Sequence, residues 1–141
     1  MLQALLSFSV YTMFKLPPLS LYVHIPWCVQ KCPYCDFNSH AQKGEIPEQD
    51  YIHHLLQDLD NDLWRFRESI RERKLHSIFI GGGTPSLFSS GAIKQLLQGI
   101  ESRLPFVDNI EITLEANPGT VEAGRFNGYV EAGITRISMG I

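Results

Sequence analysis

Short segments of strand character alternate along this chain with longer segments whose apolar residues recur at helical spacing. The alternation restricts the possible folds more than any other feature. Leu19-Ser20-Leu21-Tyr22-Val23-His24-Ile25 alternates and is rich in strand formers, and Pro26 ends it. Residues 27–46 read as loop. A helix is predicted from Pro47 to about Arg71, with Tyr51, Leu55, Leu59, Leu63 and Phe66 on one face. Leu75–Ile80 is a second strand, Ser90–Leu104 a second helix, and Asn109–Glu115 a third strand broken by Asn117-Pro118-Gly119. Thr120 is a candidate N-cap for a third helix ending near Gly133, and Ile134–Ile141 begins a fourth strand. Three strand–helix units followed by a strand imply an α/β fold, with a parallel sheet and right-handed crossovers. A last strand with no helix after it leaves an edge unpaired, so the expectation is the first part of a larger barrel-like domain.

The 141 residues suffice for one core, and 44% hydrophobic with 19% charged residues excludes a disordered chain. A net charge of -3 with no basic stripe gives no footprint for nucleic acid. No apolar run reaches the ~20 residues of a membrane span. Met1–Val10 could pass for the apolar region of a signal peptide but has no Lys or Arg before it and no small-x-small cleavage site after it. Met13 is the expected translation start, with residues 1–12 upstream of it. Residues 1–14 are accordingly an extension, non-native or disordered, and 15–141 the folded part.

Cys28, Cys32 and Cys35 are the only cysteines and lie within eight residues, in Trp27-Cys28-Val29-Gln30-Lys31-Cys32-Pro33-Tyr34-Cys35-Asp36-Phe37. An odd count at such tight spacing argues against disulfides and for a reducing cytoplasm. Three thiolates on one loop can hold three irons of a [4Fe–4S] cluster and leave the fourth iron open. Zinc is the competing reading, with His24 or His40 completing a Cys3His site; inert thiols are the third. Tyr34 precedes the last cysteine and could shield a cluster or simply pack. The loop follows the carboxyl end of the first strand, where α/β barrels build chemistry.

Gly81-Gly82-Gly83-Thr84 follows the second strand, where successive N–H groups could grip a carboxylate, or where the chain merely turns. It is neither a P-loop nor a dinucleotide fingerprint. On the third strand Ile110, Ile112 and Leu114 alternate with Glu111, Thr113 and Glu115. In a barrel the apolar set packs on outer helices and the polar set lines the interior; solvent exposure is the alternative. His24 shares a strand face with Tyr22, as a core histidine, a polar neighbour of a ligand, or a zinc ligand. Arg136 faces either the interior or solvent, and His53, His54 and His76 read as surface.

The Cys-x3-Cys-x2-Cys loop after a first strand resembles the signature of radical S-adenosylmethionine (SAM) enzymes. Tyr22–Cys28, Asp36-Phe37-Asn38-Ser39, Gly81–Pro85 and Glu111–Pro118 together resemble one branch of that family. It holds oxygen-independent coproporphyrinogen III oxidase and the HemW-type haem chaperones. The resemblance covers about Lys15 to Ile141 and implies the N-terminal part of a partial (β/α) barrel, a parallel sheet with helices outside. It implies Cys28, Cys32 and Cys35 as cluster ligands, SAM on the open iron, and Tyr22, Tyr34, Gly82, Gly83, Thr84 and Glu115 around SAM. One electron from such a cluster cleaves SAM to methionine and a 5′-deoxyadenosyl radical, which in the oxidase removes hydrogen from propionate side chains. The oxidase pattern has a fourth cysteine where this chain has Phe37. The resemblance therefore points to the chaperone branch, with haem or porphyrin as ligand and haem-accepting respiratory proteins as partners. A homodimer is possible for the full-length form, and the oxidase is the alternative.

Overall fold

A computed structural model of the chain describes residues 16–118 and 123–140. The extension and the Thr120 cap lie outside those residues. Strands β1 (Leu19–Ile25), β4 (Leu75–Gly82), β5 (Phe106–Ala116) and β6 (Arg136–Met139) form one sheet in the order β1-β4-β5-β6. Every neighbouring pair is parallel. Between them run α1 (Glu48–Arg65), a short α2 (Arg67–Ile70), α3 (Ser90–Glu101) and α4 (Ala123–Ala132). The expected α/β fold with a parallel sheet is present.

The apolar residues of each strand make one face, and the helices pack on it. Val23, Ile25, Ile78, Ile80, Ile112 and Leu114 share a core with Ile52 and Leu59 of α1 and Ile93, Leu96, Leu97 and Ile100 of α3. Ile25, Ile80 and Leu114 are 0% exposed, and burying each contributes about 1.5–3 kcal/mol. Ser89 caps α3 by accepting from Ala92 N–H at 3.2 Å, while Glu48 at the start of α1 receives Ser89 N–H and Oγ–H, each at 2.7 Å. Two helix starts are thereby tied together.

Several boundaries differ from the sequence reading, among them the second helix, which ends at Glu101, and the last strand, which starts at Arg136. The helix predicted to Arg71 breaks at Phe66, which has φ -103° and ψ 15°. Ile52 and Leu59 are the buried residues of α1, and Leu63 and Ile70 pack partly buried against the core, but Phe66, predicted on the same face, is 48% exposed. The second strand runs on into the glycines, to Gly82, and the third starts at Phe106, where Leu75 pairs with it. The predicted loop holds two short strands, β2 (Trp27–Cys28) and β3 (His40–Ala41), paired in parallel.

Candidate functional site

The carboxyl ends of β1 and β4 meet the base of the cysteine loop. His40 N–H donates to Pro26 O at 2.7 Å and Gln42 N–H to Cys28 O at 2.8 Å, closing the loop at its neck. Gly83 N–H donates to Ile25 O at 2.7 Å and Thr84 N–H to Trp27 O at 2.6 Å, so the glycine turn is sewn to that neck. The approach needs glycine: a Cβ on Gly83 would lie 2.5 Å from Trp27 O. Below the neck the Trp27 ring meets Tyr51 edge-on at 4.7 Å, and Tyr51 Oη–H donates to His24 O at 2.8 Å.

The opposite face of the sheet from the helices carries the polar residues in register. Tyr22 pairs with Phe79, Phe79 with Thr113, and Thr113 with Arg136; one row on, His24 pairs with Gly81 and Glu115 with Ser138. Glu115 Oε2 accepts Gly82 N–H at 3.2 Å. Burial, and then the Glu115 carboxylate, raise the Tyr22 pKa, so its phenol stays protonated. Arg136 lies on this face, with Nη1 at 3.5 Å from Glu111 Oε1. Thr84 is only 2% exposed, and its Oγ1 accepts from Asn117 Nδ2 at 3.1 Å. Asn117 reads from sequence only as a strand breaker; nothing local signals that it braces the glycine turn.

The N–H groups of Gly82, Gly83 and Thr84 all donate within the chain, to Glu115, Ile25 and Trp27. The carboxylate-gripping N–H cradle expected from the glycine run is thus already engaged. A ligand arriving beside Glu115 meets an acceptor, which suits an ammonium or hydroxyl group.

All three cysteines are free thiols, Cys28 and Cys35 partly buried and Cys32 exposed. Cys35 Sγ lies 3.6 Å from Ser39 Oγ, and Ser39 is 1% exposed. Tyr34 is 86% exposed, and a hydrogen bond with Cys32 raises its pKa. Among the described residues no three His, Cys, Asp or Glu side chains stand close enough together to hold a metal ion. His24 makes a poor fourth ligand. Its Nε2 is 2.8 Å from Asn38 O, a pure acceptor, so Nε2 carries the proton. Its Nδ1 then accepts from Tyr22 Oη–H at 3.0 Å. His40 Nε2 is likewise engaged, 3.1 Å from Asn38 Oδ1. Both imidazoles beside the loop thus carry hydrogen bonds within the chain, and the three thiols are the candidate donors.

Residues 22–141 match the family model described as the Radical SAM superfamily. The chain belongs to the radical SAM superfamily. It is 78% identical over 127 residues to the "Heme chaperone HemW" of Haemophilus influenzae, covering 90% of this chain and 33% of that protein. It is 63% identical over 129 residues to the "Heme chaperone HemW" of Escherichia coli, covering 92% and 33%. The solved structure of the radical SAM coproporphyrinogen III oxidase HemN from Escherichia coli superposes with a TM-score of 0.73 at 28% identity, over 88% of this chain and 28% of that one. This radical SAM chain thus spans about a third of the length of the curated relatives it matches.

Membership in the superfamily implies a [4Fe–4S] cluster and SAM as cofactors, and the three-thiol donor set suits a cluster with one iron left open. Phe37 is 68% exposed on the loop. Among the described residues no helix is long and apolar enough to cross a membrane.

Proposed function

We propose that the protein carrying this chain is a HemW-like haem chaperone that holds a [4Fe–4S] cluster through Cys28, Cys32 and Cys35 and binds SAM at the open iron. The observation that carries the reading is the 78% identity to a haem chaperone across nearly all of this chain. Phe37 supports it, because the oxidase reading needs a further thiol there. Haem, and respiratory proteins that accept it, are the proposed cargo and partners, and the cytoplasm the proposed location.

When bound, the cluster supplies one electron to the SAM sulfonium. The chain supplies placement. The neck bonds of His40, Gln42, Gly83 and Thr84 hold both ends of the cysteine loop at the sheet, and the segment between them carries the three thiols that would hold the cluster. Glu115, fixed by Gly82 N–H, presents a carboxylate to a ribose hydroxyl or the ammonium group of SAM. Tyr22 keeps a protonated phenol beside it. Gly82, Gly83 and Thr84 form the wall that backs the ligand, and Tyr34 covers the open side of the loop.

Haem titration of the reconstituted full-length protein, run beside a product assay on coproporphyrinogen III, tests the reading. Saturable haem binding without protoporphyrinogen formation is expected. Turnover of coproporphyrinogen III would favour the oxidase, the reading supported by the HemN superposition.

A further inference from the structure

At the far end of the sheet, where the strands begin, α2 closes in a turn that its sequence is poorly suited to make. Arg73 N–H donates to Ile70 O at 2.8 Å, and Arg71 between them has φ 38° and ψ -119°. These values are close to the first central position of a type II′ turn, which glycine normally fills. Among the described residues Arg71 is the only non-glycine residue with positive φ. A long charged side chain kept at a strained position points to use of the side chain itself.

The turn borders a cleft of about 390 Å³ lined by Arg67, Arg71, Arg73, Arg103 and Glu72 over apolar residues that include Ile70 and Leu104. Two of the four guanidinium groups meet no carboxylate among their hydrogen bonds. Arg67 donates to Trp64 O at 2.9 Å and lies 5.1 Å above the Trp64 ring. Arg73 donates to Ser69 O at 3.3 Å and to Pro17 O. Arg71 pairs with Glu68 at 2.8 Å, but both side chains are about three-quarters exposed (73% and 74%), where an ion pair is weak and readily exchanged. Arg103 is held by Asp60 at 2.7 Å. Trp64, 72% exposed, stands under the Arg67 guanidinium.

We propose that this cleft binds a phosphate group. Several planar guanidinium forks around one opening match the many oxygens of a phosphate better than the single pair of a carboxylate. The site lies at the amino ends of the strands, away from the cysteine loop, so it serves docking or regulation and stands independently of the haem reading. The phosphate belongs either to a free phosphorylated compound or to a lipid headgroup, whose acyl region would meet the exposed Trp64 ring.

The full-length protein, titrated calorimetrically with pyrophosphate and sedimented with phosphatidylglycerol or phosphatidylcholine vesicles, distinguishes these sources. Saturable pyrophosphate binding without vesicle binding assigns a free compound; capture by phosphatidylglycerol alone assigns the headgroup. In either case Arg71→Gly and Arg67→Gln weaken binding about tenfold, the loss of one charge-assisted contact. Arg71→Gly also raises the melting temperature, because it relieves the turn while removing the ligand contact. Absence of saturable binding in both arms, or binding unchanged in both variants, overturns the proposal, as does a lower melting temperature for Arg71→Gly.

Discussion

His24 Nε2 lies 2.8 Å from the carbonyl oxygen of Asn38, fourteen residues further along the chain, while its Nδ1 is held at 3.0 Å by Tyr22. The imidazole thereby latches the outgoing end of the cysteine loop to β1. Its far nitrogen works on the loop and its near nitrogen on the polar face of the sheet.

Removal of that latch is expected to loosen the loop without melting the core, since His24 lies outside the apolar cluster. His24→Phe deletes both hydrogen bonds, each worth about 0.5–1.5 kcal/mol. Iron and sulfide retained after anaerobic reconstitution should fall, while far-ultraviolet circular dichroism keeps its wild-type shape. Wild-type iron content in this variant would show that the latch plays no part in holding the loop.

Gly83→Ala tests the seam between the glycine turn and the loop neck. The new Cβ would meet three backbone atoms, Trp27 O at 2.5 Å, Trp27 C at 2.8 Å and Pro26 C at 2.9 Å, none of which can swing aside as a side chain would. Overpacking of this kind costs about 1–3 kcal/mol. A lower denaturation midpoint together with weaker SAM binding is expected. Gly91→Ala is the control, because its Cβ would meet nothing within 4 Å.

Cys32→Ser separates the cluster from the zinc alternative. The exposed Cys32 is one of only three thiols, and both histidines near the loop are already hydrogen-bonded. The wild-type protein should take up about four irons and four sulfides per chain, and Cys32→Ser should lose most of both. A colourless protein holding one zinc would exclude the cluster.

Tyr129 gives an alkaline limit to stability. It is 1% exposed, and its hydroxyl lies 2.8 Å from both Ser86 O and Phe88 O. Burial is the main cause of its raised pKa, the Arg125 charge opposing. Because the folded pKa lies above the unfolded value near 10.0, this contribution is complete below pH 10.0 and is lost as pH rises through the folded pKa. Tyr129→Phe should cost about 1–3 kcal/mol at neutral pH by removing this donor from the Phe88 carbonyl, while Ser86 O keeps its bond from Arg125 Nη1 at 3.2 Å. It should also flatten the fall in stability above pH 10.0, as denaturant melts at several pH values would show.

Element order and sheet face were legible because each rests on local periodicity. Ile112 and Leu114 at every second position, with Glu111, Thr113 and Glu115 between them, already separate the helix-packed face from the polar one. The break at Phe66 was not legible, because helical spacing continues in the sequence through what is a change of backbone angles at an exposed residue. The glycine run reads equally as an N–H grip or as a plain turn, and its engagement with Ile25 O and Trp27 O depends on residues more than fifty positions earlier.

By itself the sequence determined the three-thiol loop, the parallel strand–helix order and the family, since all three rest on residue type and spacing along the chain. Only the tertiary structure decided how His24 is used, that Asn117 braces Thr84 and that Arg71 occupies a strained turn. Those outcomes depend on which distant groups compete for the same hydrogen bond or the same space, and spacing along the chain carries no record of that competition.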